Sequence, residues 1–116
     1  MPRFMMLMHP ASFPEAGEAP PAELVEAMMK YADELAQAGV LLALDGLLPP
    51  SEGSRVRFDG GRPVVTDGPF TETKELIGGY WVIEASSQEE AVQWATRCPA
   101  LDGDMIEVRR VQDVPA

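Results

Sequence analysis

The stretch Thr66-Asp67-Gly68-Pro69-Phe70-Thr71-Glu72-Thr73-Lys74-Glu75 combines a Gly-Pro turn, a lone aromatic ring and a cluster of ionisable side chains. A connector between strands needs only a turn, so this one is where function is sought first. Asp67 offers a carboxylate for proton transfer, or for accepting the N–H groups of its own turn. Phe70 can line a pocket or plug the core. Lys74 can hold an anion, or belong with Glu72 and Glu75 to a solvated charge cluster. His9 is the sole histidine and a candidate general base. Its plain alternative is a side chain that ends a strand in solvent. Asp45 follows the apolar run 40–44 and precedes Gly46. Burial there would suit it to proton transfer; exposure would leave it shaping a turn. Glu107 and Arg109 share one face of the last strand, as an ion pair, a pocket lining or protection for an open edge. The candidates are thus Asp45, Asp67 and His9 for catalysis, and Phe70, Lys74, Glu107 and Arg109 for ligand binding.

These residues need strands and helices to position them. Residues 4–8 form an unbroken apolar run ended by His9-Pro10, read as a strand buried on both faces. Residues 11–21 hold Pro14, Gly17, Pro20 and Pro21 and read as a loop. Leu24, Met28, Tyr31 or Ala32, and Leu35 recur at helical spacing over residues 21–38, with Gly39 as the stop. Residues 40–44 read as a second doubly buried strand. Residues 55–58 and 63–66 flank Asp59-Gly60-Gly61, a hairpin signal, and Pro63 places that hairpin at an edge. A strand over 79–84 follows the 66–75 stretch. Ser87-Gln88-Glu89-Glu90 fits a capping box, with Ala91, Trp94, Ala95 and Cys98 as the helix stripe. Residues 105–111 make the last strand.

Composition narrows the function classes. The 116 residues suit one domain over 1–116, and 46% apolar with 24% charged residues suits a folded chain. A net charge of −10 opposes phosphate backbones and anionic membranes, so neither nucleic acid nor membrane is an expected partner. One cysteine, Cys98, allows no intrachain disulfide. The apolar run at the N-terminus is shorter than a signal-peptide core, and the expected location is cytoplasmic. No His/Cys cluster has metal spacing, no glycine-rich phosphate loop precedes a helix, and no Gly-x-Ser-x-Gly elbow occurs. No cofactor is expected.

The element order is β-α-β-(hairpin)-β-α-β. Right-handed crossovers then give an α+β, ferredoxin-like βαββαβ sheet of order 4-1-3-2, with an inserted hairpin and both helices on one face. Strands apolar on both sides leave one face uncovered, and a second copy is the simplest cover. The expectation is a homodimer with its sheets facing each other. In this topology His9, Asp45, the 67–75 loop and Asp104 gather at one end of the sheet.

The Thr-Asp-Gly-Pro-Phe-Thr-Glu-Thr-Lys-Glu run resembles the DGPF signature of the YCII-related proteins. Gly39-Val40-Leu41-Leu42, Asp45-Gly46-Leu47, Arg55-Val56-Arg57-Phe58, Gly78-Gly79-Tyr80 and Arg97-Cys98-Pro99 extend the likeness over nearly the whole chain. The resemblance implies a dimeric α/β barrel. It also implies a His–Asp dyad, proposed in better understood relatives to catalyse, including elimination in a dehydrochlorinase relative. By register that dyad falls near Met28 and Cys98, which cannot form it. The signature commonly accompanies extracytoplasmic-function sigma factors, which implies a possible sigma-factor association. Two readings stand: a small-molecule-binding or regulatory accessory module, and a cofactor-independent enzyme doing lyase- or isomerase-like acid/base chemistry on a small organic substrate.

Overall fold

The structure is a computed structural model and describes residues 1–13, 18–68 and 76–114. Strand β1 spans Arg3–His9, helix α1 Ala22–Gln37 and β2 Leu41–Gly46. A short 3-10 turn at Pro50–Glu52 precedes β3 (Ser54–Asp59) and β4 (Arg62–Asp67). Strand β5 (Gly79–Glu84), helix α2 (Gln88–Thr96) and β6 (Met105–Arg110) follow. Strands β2-β5-β1-β6 form a four-stranded antiparallel sheet in that order, and β3-β4 form a separate two-stranded sheet. This mixed α+β architecture is compatible with a ferredoxin-like arrangement.

Alternation along the central strands sets everything else. Phe4, Met6 and Met8 of β1 and Trp81 and Ile83 of β5 are buried, while Met5, Leu7, Tyr80 and Val82 between them are half-buried. Phe4 pairs with Ile83 and Met6 with Trp81, so the buried set occupies one face. Tyr31 and Leu35 of α1 and Ala91 of α2 join it in one core. The Tyr31 and Trp81 rings meet edge to face at 5.7 Å. The Tyr31 hydroxyl donates to the Trp94 carbonyl at 2.7 Å, which ties α1 to α2.

Helix α2 starts where its local chemistry dictates. Ser87 caps α2 by accepting from the Glu90 N–H at 3.1 Å. The Glu90 carboxylate reaches back to the Ser86 N–H and hydroxyl rather than to the Ser87 N–H, a variation on the expected box. In the hairpin, Gly60 and Gly61 take φ values of 58° and 82°, the left-handed pair that a two-residue turn needs.

One expectation is corrected. Strand β2 is not doubly buried: apart from Leu41, its residues are exposed. Sheet order explains this, because β2 is an outer strand with a neighbour on one side only. The hairpin is also exposed, including Phe58 at 75% and Val65 at 64%. The radius of gyration of 16.0 Å exceeds the about 13 Å of a compact chain this long, as a projecting arm requires.

Two predictions concern this core. Ile83 is fully buried, so Ile83→Ala should lower unfolding stability by about 2–5 kcal/mol in a urea titration. Burial, with a smaller contribution from Asp104, pushes the Cys98 thiol up from 9.0 to about 11. Burial raises the Tyr31 hydroxyl too, helped by the nearby Cys98. Both groups are held neutral by the fold, so their contribution is full below the unfolded values and declines as pH rises through the folded ones. The urea midpoint should therefore start to fall near pH 9 and continue past pH 10. Cys98→Ala should remove the earlier part of that fall, and Tyr31→Phe the later part.

Candidate functional site

Strand register sorts the candidate residues onto particular faces. Leu7 lies opposite Tyr80 on one side and Glu107 on the other, and Tyr80 lies opposite Asp45. Asp45, Tyr80, Leu7 and Glu107 thus form a row across the sheet, on the face away from the helices. Ala43, Val82, Met5 and Arg109 form the next row. Met5, Leu7 and Val82 make the middle of this open face apolar; Tyr80 and His9 stand on the central strands, and Asp45, Glu107 and Arg109 on the outer ones.

A bulge between Leu41 and Ala43 places Asp45 there. Leu41 pairs with core-facing Ile83, whereas Ala43 pairs with Val82 on the opposite face. Without the extra residue, Asp45 would share the face of Leu41 and point at the core. Instead it is exposed, and its Oδ2 accepts from the Tyr80 hydroxyl at 2.9 Å. That hydrogen bond, then the Asp45 charge, raises the Tyr80 hydroxyl pKa. Tyr80 is a partner that sequence reasoning missed; its alternation with Trp81 was the available signal.

His9, Glu107 and Arg109 come together at the other side of this face. His9 Nε2 lies 3.4 Å from Glu107 Oε1, and Arg109 Nε lies 3.8 Å from Glu107 Oε2. The His9 side chain is only 12% exposed, against 44% for Glu107. The His9–Glu107 separation permits attraction if the ring is charged, but it lacks hydrogen-bond geometry. Neither ring nitrogen has a hydrogen-bond partner. A buried polar atom without a partner is costly, which makes His9 the least satisfied side chain described here.

Asp67 is elsewhere. It closes the base of the hairpin, where its Oδ1 accepts from the Ser54 hydroxyl at 2.7 Å. It belongs to the two-stranded sheet and not to the sheet that carries His9 and Glu107. The next residue, Gly68, donates its N–H to the Gly53 carbonyl at 2.9 Å. A Cβ on Gly68 would overlap the Pro50 carbonyl oxygen, so no other residue fits without moving the backbone. Phe70 and Lys74, with the rest of the signature through Glu75, lie outside the described residues.

The strand ends do meet at one end of the sheet. Gly78 donates to the Met8 carbonyl at 2.8 Å, and Leu47 donates to Gly78 at 2.9 Å. Asp104 accepts from the Ala11 and Leu101 N–H groups, both at 2.9 Å, and so fixes the loops beside β1 and β6. On the helix side of this junction lies a cleft of about 620 Å³. Met8, Phe13, Leu24, Met28, Leu47 and Leu48 supply much of its apolar wall. A second hollow of about 410 Å³ adjoins it between α1 and β2, sharing Met8, Leu24 and Met28. Sequence reasoning missed this cleft, because the exposure of Leu47, Leu48 and Leu101 beside it appears only in the folded chain.

Comparison with known proteins agrees with the likeness read from the sequence. An uncharacterized protein of Rhizobium meliloti (strain 1021) is 37% identical over 59 residues, covering 51% of this chain and 48% of that protein. The chain thus matches about half the length of this curated relative. The family model described as the YCII-related domain matches residues 3–115. The chain belongs to the YCII-related family.

Proposed function

We propose that the protein is a homodimeric, small-molecule-binding accessory module with a ferredoxin-like fold, its ligand held in the cleft between α1 and the sheet. The cleft carries this reading. Its volume of about 620 Å³ is that of a site for a small organic molecule. Met8 and Met28 give it walls that adapt to ligand shape. Met28, near the register position of the histidine in better understood relatives, is part of its lining. Cytoplasmic location and sigma-factor association belong to this proposal as context; the described helices include none long and apolar enough to cross a membrane.

Dimerisation rests on the open face. Met5, Leu7, Ala43 and Val82 make an apolar centre, with Asp45, Glu107 and Arg109 toward the edges, the anatomy of an interface. Sedimentation should give twice the chain mass of 12.6 kDa at micromolar concentration, and Leu7→Glu should reduce it to the single-chain mass. A wild-type monomer would refute the dimer.

The binding reading is tested by thermal shift against a panel of small apolar organic compounds. At least one should raise the melting temperature by several degrees, and Met28→Trp, which fills the cleft, should cancel the rise. A panel without a hit, or a shift unchanged in the variant, would count against the cleft.

His9 keeps the second reading in play, a cofactor-independent enzyme that moves protons. Its ring nitrogens are buried, unpartnered and close to Glu107. Such an enzyme should exchange carbon-bound protons of a carbonyl substrate with D2O, and His9→Gln should abolish the exchange. Exchange that persists in the variant would remove His9 from that role.

A further inference from the structure

The cleft has a charge as well as a shape. Its described lining contains the carboxylates of Glu18, Glu52, Asp102 and Asp104 and no lysine, arginine or histidine. Glu18, Glu52 and Asp102 are exposed at its margin, and Asp104 is half-buried. The Asp104 oxygens are spent on the Ala11 and Leu101 N–H groups, so its charge is fixed in place. The wall behind these carboxylates is apolar: Met8, Pro10, Phe13, Leu24, Met28 and Leu48. Clusters of exposed acids on a flat surface select nothing in particular. An apolar hollow large enough for a ligand, whose described margin carries charge of one sign at Glu52, Asp102 and Asp104, selects a molecule whose body is apolar and whose exposed end has the opposite charge.

We infer that the cleft takes an organic cation, an apolar body bearing an ammonium group, with the body against Met8, Phe13, Leu24 and Met28 and the ammonium toward Glu52 and Asp102. This rests on the reading of the cleft as a ligand site and adds the ligand's charge class. The same geometry disfavours carboxylate and phosphate ligands, whose charge would approach Glu52, Asp102 and Asp104. Asp104 is a positioning residue, because it holds the loop of Ala11 against that of Leu101.

A matched series separates the two claims. 4-Phenylbutylamine, 4-phenylbutanol and 4-phenylbutyrate share one body and differ in charge at the end. Titration calorimetry in low salt should show the amine binding about three- to tenfold more tightly than the alcohol, with the butyrate weakest. Raising the salt to 0.5 M should shrink that preference, since the carboxylates at the margin are screened. Glu52→Gln with Asp102→Asn should bring the amine to the alcohol's affinity and leave the alcohol unchanged, a readout that also reports a folded cleft. Equal affinity for all three compounds, or a preference for the butyrate, would overturn the cation class while keeping the cleft as a ligand site. Binding of none of them by the wild-type protein would overturn both.

Discussion

Burial of one face of β1 and β5 is the constraint on which the rest of the molecule depends. Phe4, Met6, Trp81 and Ile83 pair across the two central strands and sink into α1 and α2 together. Fully burying side chains of this size stabilises by roughly 1.5–3 kcal/mol each, so the register that achieves it is strongly favoured over a slip by one residue. Once that register is set, the alternate residues have no choice of side. Met5, Leu7, Tyr80 and Val82 must face away from the helices, and Glu107 and Arg109 follow on β6. The layout of side chains on the open face is therefore a by-product of the core.

The same constraint divides the candidate chemistry into two places. His9, Glu107, Arg109, Tyr80 and Asp45 stand on the open face. The apolar cleft with its acidic margin lies on the helix side, where α1 does not fully cover the end of the sheet. Strand ends converge at this junction through the backbone links from Gly78 to Met8 and from Leu47 to Gly78. A ligand in the cleft and a partner on the open face would thus touch opposite sides of the same strands. Met8 and His9, consecutive in β1, face one each.

Much of this was legible in the sequence for physical reasons. The apolar run 4–8 ended by His9-Pro10 marks β1, the Asp-Gly-Gly turn marks the hairpin, and Ser87 with Glu90 marks the start of α2, while the alternation of burial along β1 and β5 shows only in the fold. The glycine of the DGPF signature has a direct cause in its contact with Pro50. What was not legible depends on tertiary placement. An apolar run such as Leu41-Leu42-Ala43-Leu44 reads alike in a central and an outer strand, so the exposure of β2 could not be seen. A bulge carries no fixed sequence mark, yet the one after Leu41 decides which side Asp45 takes. The cleft is assembled from loops far apart in sequence, and no local pattern announces such a wall. The sequence neighbours of Asp67 do not reveal its hydrogen-bond partner, Ser54, which lies across the hairpin base.

The claim that the two faces have separate roles can be read in one experiment, methyl NMR of the protein labelled at its seven methionines. Met8 and Met28 line the cleft, Met5 lies on the open face, and Met105 pairs with His9 at its end. Adding an apolar ligand should move the Met8 and Met28 signals and leave Met5 and Met105 in place, while dilution should move Met5 alone among these. Ligand-induced shifts at Met5 and Met105 with Met8 and Met28 unmoved would contradict the account.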